Sequence, residues 1–293
     1  MRGSIPMQFD GVKAKGHGGK LFYRFAGPFA RWLTEHWVRH DELVRVRQQI
    51  RYLSYSELLA RASGGLDLSL YELSIFSQNG EDGVLQEIFR RIGTTNRTFV
   101  EIGASANEAN AVLLADVLGW TGMFVDASTA ESSALIKKYA SSDRVAIIEA
   151  LVTPQNLVDI LQSNSCPTNF DLLSIDVDGN DYWLWEAIGP FKPRVVVIEY
   201  NSALGPITAT VKHYVSDSWD GTSDFGGSVK AFAALGERLG YRLVHAESTG
   251  VNLFFVRHDV FQDGTFLTSD EVISRVPNFY LYGLRHPEGP NAG

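Results

Sequence analysis

The chain is poor in cysteine. Cys166 is the only one in 293 residues, so no intrachain disulfide is possible and a reducing, cytoplasmic setting is the simplest expectation. Long apolar runs are missing as well. None approaches the roughly 18 residues of a spanning helix, so no transmembrane segment is expected, and no stretch reads as a secretory leader. Positive charge is scarce: 26 Lys and Arg stand against 34 Asp and Glu, a net charge of −8. Nucleic-acid binding draws mainly on phosphate attraction, so a nucleic-acid partner is not expected. The shortage is uneven. Residues 1–65 hold 11 Lys and Arg against 5 Asp and Glu, whereas the remainder holds 15 against 29.

What is present divides the chain into four parts. Residues 1–20 open on "MRGS", which resembles an expression leader, and continue glycine-rich and polar, as a disordered leader would. Residues 21–70 read as a helical extension, with Leu43, Val46, Ile50 and Leu53 at spacings of three and four. This basic, aromatic arm suits packing on the core or on a second copy of the chain, giving a homodimer, better than a membrane surface, because acidic residues dilute its basic face. Residues 71–285 carry the main domain, and residues 286–293 form a tail.

Within the main domain a helix is expected at 80–92, where Val84, Leu85, Ile88, Phe89 and Ile92 share one face. Strands are expected at 98–102, 122–126, 144–149, 171–175 and 194–200, each nearly continuous in apolar residues, as strands covered on both faces are. Helical spans separate them, so the sheet is parallel with helices on both sides. Two more strands, "YRLVHAE" (241–247) and "VNLFFVR" (251–257), are joined by three residues. A parallel crossover needs a dozen or more, so this pair is an antiparallel hairpin. The expected fold is therefore α/β: a class I methyltransferase Rossmann-like sheet of five parallel strands plus a C-terminal antiparallel hairpin.

Ligands of open α/β sheets bind beyond the carboxyl ends of the strands. The first strand ends "VEIGASANEAN" and lacks the G-x-G-x-x-G with which a dinucleotide's pyrophosphate is approached. That counts against a nicotinamide oxidoreductase, as does the hairpin. A sulfonium cofactor without phosphate relaxes the demand, and Glu101 two residues before Gly103 suits a ligand bearing an ammonium group. Asp126, at the end of the second strand, lies 25 residues after Glu101, near the spacing at which a carboxylate meets ribose hydroxyls. Ser128 follows it, and the alternative is that Asp126 or Ser128 caps a helix. Glu149, Ala150 and Leu151 end the third strand and would flank an adenine.

The segments "SQNGEDGVLQEIF", "FVEIGA", "GWTGMFVDAS", "LLSIDVDGNDYWLWEAI", "PRVVVIEYN" and "GYRLVHAESTGVNLFFVR" together resemble the FkbM-like family of S-adenosylmethionine-dependent methyltransferases over about 75–262. The resemblance implies a cofactor pocket near Gln78, Glu81, Glu101, Gly103 and Asp126, and O-methylation of natural products or glycans. The chain departs from many methyltransferases in "GASAN", where a second glycine is common.

The densest group of candidate residues is "DLLSIDVDGNDYWLW". Asp176 ends the fourth strand. Asp178 shares its side if the chain stays extended, and Glu199 and Asn201 share a side at the end of the fifth. These four converge if the strands are neighbours. Clustered carboxylates repel unless protonated or bound to a cation, and oxygen-only ligands point to Mg²⁺ or Ca²⁺. An EF-hand is excluded, because Asp181 stands at the sixth loop position and Ala187 at the twelfth. Without a metal, Asp176 would orient the acceptor or act as its base. The competing reading is that Asp178 and Asp181 merely cap the helix that follows, and for Asp181 the two readings stand equal. His213, in the long 201–228 loop, is a second candidate base, with Tyr214 and Trp219 as stacking surfaces. His245, inside a strand, is read as a core histidine, and Trp183 and Trp185 as core packing. The leading function is an S-adenosylmethionine-dependent O-methyltransferase acting on a sugar, glycan or natural-product hydroxyl, with Mg²⁺ assistance. The alternative is a non-catalytic cofactor-binding module of the same fold.

Overall fold

The computed structural model describes residues 65–106, 108–214 and 225–274. The leader, nearly all of the basic arm, Trp219 and the tail lie outside the described residues. Seven strands form one sheet in the order β3-β2-β1-β4-β5-β7-β6. They are β1 Thr98–Ile102, β2 Thr121–Asp126, β3 Val145–Glu149, β4 Asn169–Ile175, β5 Lys192–Glu199, β6 Tyr241–Ala246 and β7 Asn252–Arg257. The first five are parallel, and β7 runs antiparallel between β5 and β6. This is the class I methyltransferase sheet expected from the hairpin, and every expected strand is present to within two residues at either end.

The helices are α1 Glu81–Ile92, α2 Val112–Asp116, α3 Thr129–Lys138, α4 Leu157–Ser163, α5 Asp181–Glu186, α6 Val229–Leu239 and α7 Ser269–Ile273. Strand side chains alternate between two cores. On one face Val100, Ile102, Leu173 and Val196 pack with Leu161, Trp185 and Phe232 from α4, α5 and α6. On the other, Phe99, Phe124, Leu172 and Val197 pack with Leu85, Ile88 and Leu135 from α1 and α3. Each such side chain, fully buried, contributes about 1.5–3 kcal/mol of transfer free energy. Trp185 is fully buried, its ring 4.6 Å from that of Phe255, so its reading as core holds. Helix α6 comes close enough to the sheet that a Cβ at Gly236 would lie 2.8 Å from the Phe255 ring and 3.1 Å from Trp185.

The far edge of the sheet, where the parallel strands begin, holds a feature that periodicity does not reveal. Asp171 is fully buried on β4 and accepts the backbone N–H groups of Thr95, Asn96 and Arg97 at 2.6–2.9 Å. Arg194 lies 3.3 Å from it. The carboxylate thereby fastens the turn entering β1 to the middle of the sheet. His245 is also structural, as expected. It is fully buried, with Nε2 2.8 Å from Glu72 Oε1, which also accepts the N–H and the hydroxyl of Ser248.

Candidate functional site

Strand order reverses between β1 and β4, and the rim of the sheet at that point is where a ligand-sized crevice opens in this topology. The chain builds its floor with a glycine. Gly103 follows β1 at φ +85°, and a Cβ there would lie 1.5 Å from the carbonyl oxygen of Asp176 at the end of β4. Its N–H donates to Val125 O at 2.8 Å. No larger residue fits between the two strand ends, which explains the single glycine that the sequence retains here.

Rim carboxylates divide into two sorts that sequence spacing does not distinguish. The first sort spends its oxygens on backbone N–H groups and holds loops. Glu101 is buried, with one oxygen accepting from Asn110 N–H at 2.6 Å and the other from Ala111 N–H at 2.8 Å. Burial pushes its pKa up to about 7, against the pull of those two hydrogen bonds. Glu81 is fully buried and accepts the N–H groups of Asn79 and Gly80 on one oxygen and the Asn252 amide on the other. Asp82, beside it, gathers the N–H groups of Ile75, Phe76 and Ser77 on a single oxygen. The "SQNGED" segment is thus a turn wrapped around two carboxylates, and Gln78 is exposed on it, bonded to its neighbour Asn79. Asp181 accepts from Val177 N–H and Gly179 N–H, at 2.9 Å each, from the first turn of α5. Burial raises its pKa to about 7. Its reading as a plain helix cap gives way to that of a clamp on the 176–180 turn, while Asn180 takes the N-cap position.

The second sort meets solvent at the carboxyl ends of the strands. Asp126 ends β2 half-buried, with Oδ1 accepting from Ser128 N–H at 2.6 Å. Ser128 is the N-cap of α3, its hydroxyl accepting from Glu131 N–H, so the capping role weighed for it is present. Glu149 lies beside Asp126 in register, is exposed, and accepts from the Thr129 hydroxyl at 2.7 Å. Ala150 N–H donates to Asp126 O at 2.9 Å, and Leu151 next to it is 65% exposed, an apolar surface just beyond the end of β3. Sequence reasoning missed Glu131, whose carboxylate accepts from Ala106 N–H and ties α3 to the loop after Gly103. Its place one turn into a helix is the only signal.

Asp176, Asp178 and Glu199 converge, each offering an oxygen within 4.8 Å of the others. They do so by a different route from the one expected. The chain does not stay extended after Asp176: Asp178 adopts φ +54°, the left-handed region, between the two N–H groups that Asp181 holds. Glu199 and Asp176 come together because β4 and β5 pair directly. Burial first, then repulsion from Asp181 and Asp178, raises the Asp176 pKa well above the usual carboxylate range. Asn201 lies at the same rim, but its Oδ1 accepts from Ala203 N–H and its Nδ2 donates to Phe225 O, so it caps the short 3-10 turn Ser202–Leu204.

His213 and Tyr214 are exposed on the segment that follows. Val211 pairs with Gly227, and the Trp183 indole N–H donates to Lys212 O at 3.1 Å, which anchors that segment to α5. Trp183 therefore supports a rim loop rather than the core that holds Trp185. Among the described residues no helix is long and apolar enough to cross a membrane.

No family model matches the chain, and no curated protein is similar to it at a significant level. Solved structures do resemble it. An O-methyltransferase from Bacillus cereus in complex with SAH is 19% identical, with 70% of this chain and 89% of that one covered at a TM-score of 0.40. A putative caffeoyl-CoA O-methyltransferase from Staphylococcus aureus is 14% identical, covering 70% and 91% at 0.42. The mitomycin 7-O-methyltransferase MmcR is 16% identical at 0.35, and the chain spans 55% of its length. The fold assignment rests on the strand order and direction.

Proposed function

We propose that this chain is an S-adenosylmethionine-dependent O-methyltransferase of the FkbM-like kind, acting on a hydroxyl of a sugar, glycan or natural product with Mg²⁺ assistance. The observation that carries this reading is the convergence of Asp176, Asp178 and Glu199 where β4 and β5 end, beside Gly103, with Asp126 ending β2 on the same edge of the sheet. Asp126 would hold the ribose hydroxyls, and Glu149, Ala150 and Leu151 would border the adenine. Bound there, the cofactor supplies an electrophilic methyl group on a sulfonium. A cation is a fitting partner for a rim so rich in carboxylates.

The donor set also fits a divalent ion. Oxygens on one Mg²⁺ at about 2.1 Å lie roughly 3–4.2 Å apart, so the three carboxylates, already within 4.8 Å, need only small side-chain adjustments. Such an ion, held by Asp176, Asp178 and Glu199, would lower the pKa of a coordinated hydroxyl. The work of the protein's own residues is alignment and proton transfer. The acceptor oxygen must lie in line with the methyl carbon and sulfur at near-contact distance. Its proton passes to a carboxylate oxygen of Asp176 or, from the loop side, to His213. The cofactor would supply the methyl group to that oxygen, and the C–S electron pair would leave with sulfur.

Calorimetric titration with S-adenosylhomocysteine tests the reading. Micromolar or tighter affinity is expected, weakened about 10- to 100-fold in Asp126→Ala. If neither S-adenosylhomocysteine nor S-adenosylmethionine binds, the proposed function is wrong. Binding without product release across a broad acceptor panel would favour a non-catalytic cofactor-binding module.

A further inference from the structure

The closing hairpin buries a small polar group away from the strand-end carboxylates. Glu247 stands just after β6 and Asn252 begins β7, directly opposite each other, with Glu247 N–H donating to Asn252 O at 2.9 Å. Side chains paired in this way have Cβ atoms about 4.5–5.5 Å apart. Both meet the N-terminus of α1. The Asn252 amide Nδ2 donates to Glu81 Oε1 at 2.8 Å, and the charge of Glu81 acts on Glu247. Glu81, Glu247 and Asn252 are 0%, 1% and 2% exposed, so bulk water does not serve them. Two of their atoms have no hydrogen-bond partner, Glu247 Oε2 and Asn252 Oδ1.

Counting hydrogens shows what is missing. An amide whose nitrogen faces one carboxyl group turns its oxygen to the other, and that oxygen can only accept. Asn252 gives its N–H to Glu81, so Oδ1 asks for a hydrogen from the Glu247 side. Turning the amide over does not help. Oδ1 would then lie 2.8 Å from Glu81 Oε1, and the same hydrogen would be needed there. The two carboxyl groups therefore hold one proton between them. Its place follows from their other partners. Glu81 Oε2 accepts the N–H groups of Asn79 and Gly80 at 2.9 Å each, which favours the ionised form. Glu247 receives the Thr249 hydroxyl on Oε1. Burial first, then the charges of Glu81 and Glu72, raise its pKa well above the usual carboxylate range. The other titratable groups around it are engaged elsewhere. Glu72 is bound to His245 and Ser248, and Asp82 to the N–H groups of Ile75, Phe76 and Ser77. Tyr200 lies beyond β5, its hydroxyl pushed up by burial, and Glu199 stands on the far side of Asn252 in register.

We propose that Glu247 folds as a neutral carboxylic acid that donates its proton to Asn252 Oδ1, and that this bond fixes the Asn252 amide toward Glu81. Glu81 in turn holds the N–H groups of Asn79 and Gly80, so Glu247 is a positioning residue for the turn at the start of α1. That turn carries Gln78, which the resemblance sets beside the cofactor. This last consequence rests on the function proposed above; the protonation does not.

The unfolded chain releases the Glu247 proton near 4.5, and the folded chain keeps it to higher pH. The contribution of Glu247 to stability is therefore full below 4.5 and falls as pH rises, until the folded carboxyl group itself ionises. A difference of one proton raises the unfolding constant about tenfold per pH unit. Glu247→Gln keeps the shape and supplies a permanent N–H for Asn252 Oδ1. In urea unfolding of the full chain from pH 5 to pH 8, the unfolding constant of the wild type should climb about tenfold per pH unit more steeply than that of Glu247→Gln. Parallel curves overturn the proposal. Carbon-13 resonance of chains labelled only at glutamate Cδ locates the proton directly. At pH 8 Glu101, held near 7, has ionised. A glutamate signal at the position of a carboxylic acid should remain in the wild type and vanish in Glu247→Gln. No such signal in the wild type, or one that survives the substitution, overturns the proposal even if the variant is too unstable for urea work. Amide exchange tests the positioning role. In Glu247→Leu the N–H groups of Asn79 and Gly80 should exchange at least tenfold faster, while those of Asn96 and Arg97, held by Asp171 at the opposite edge, keep their rates. Unchanged exchange at Asn79 and Gly80 overturns that role. A chain that fails to bind S-adenosylhomocysteine would sink the cofactor reading and leave these readouts as they are.

Discussion

Replacing Asp178 by glycine separates function from stability in one measurement. Asp178 holds φ +54°, a region that costs an ordinary L-residue about 1–2 kcal/mol, with aspartate at the low end. Its carboxylate also faces those of Asp176 and Glu199 within 4.8 Å. Glycine removes both penalties and adds back about 0.5–1 kcal/mol through its freer unfolded chain. With about 1 kcal/mol for carboxylate repulsion at that separation in a water-like dielectric, the net expectation is a gain of about 1 kcal/mol, or roughly 2–4 °C in melting temperature for a domain of this size. The assay is thermal unfolding followed by circular dichroism, in EDTA and then in excess Mg²⁺. In EDTA the Asp178→Gly protein should melt above the wild type. With metal at about 100 times its dissociation constant the wild type should gain about 2.7 kcal/mol, and the variant little. The order of melting then inverts. A variant that melts below the wild type in EDTA would refute the reasoning, since Asp178 would then be supporting the turn. A wild type indifferent to Mg²⁺ would refute the metal site.

Further outcomes follow from the same geometry. Asp126→Ala should weaken S-adenosylhomocysteine binding by about 10- to 100-fold, the worth of charged hydrogen bonds to ribose, with the melting temperature little changed; unchanged affinity in calorimetry removes Asp126 from the site. Gly103→Ala should destabilise the domain by about 3 kcal/mol or more in urea unfolding, because φ +85° and a contact of 1.5 Å with Asp176 O are both refused to a Cβ. Wild-type-like unfolding of that variant would mean the strand ends part easily. Glu101 titrates near 7 when folded against an ordinary 4.5. The folded state therefore holds its proton over that interval while the unfolded state has released it, so this contribution is full below 4.5, falls as pH rises through 7, and then stays flat. The fall is at most about 3 kcal/mol. Urea unfolding between pH 4 and pH 8 should show a shallower decline for Glu101→Gln than for wild type, and parallel curves would assign the slope to other groups.

The Asp176–Asp178 pair shows how far sequence reasoning reaches. Convergence of these residues with Glu199 was expected from an extended chain, which would place residues two apart on one side. The convergence holds, but through a left-handed turn that Asp181 holds with two N–H bonds. Glu81 and Glu101 show the opposite outcome. Both sit at the rim as expected, yet their oxygens are engaged by loop N–H groups. Spacing cannot separate a carboxylate that receives a ligand from one that receives its own backbone, because both occupy strand or helix ends where N–H groups are abundant.

The sequence by itself determined the sheet, its parallel sense and the closing hairpin. Strands buried on both faces must be written as continuous apolar runs, and a three-residue connection permits only an antiparallel return. It also determined which strand ends carry acid. Only the tertiary structure decided which acids are engaged by backbone N–H groups, that Asp171 fastens the far edge, and that Trp185 and Trp183 serve different surfaces. Those outcomes depend on where backbone N–H groups from distant segments come to lie, and no local pattern of residues encodes that meeting.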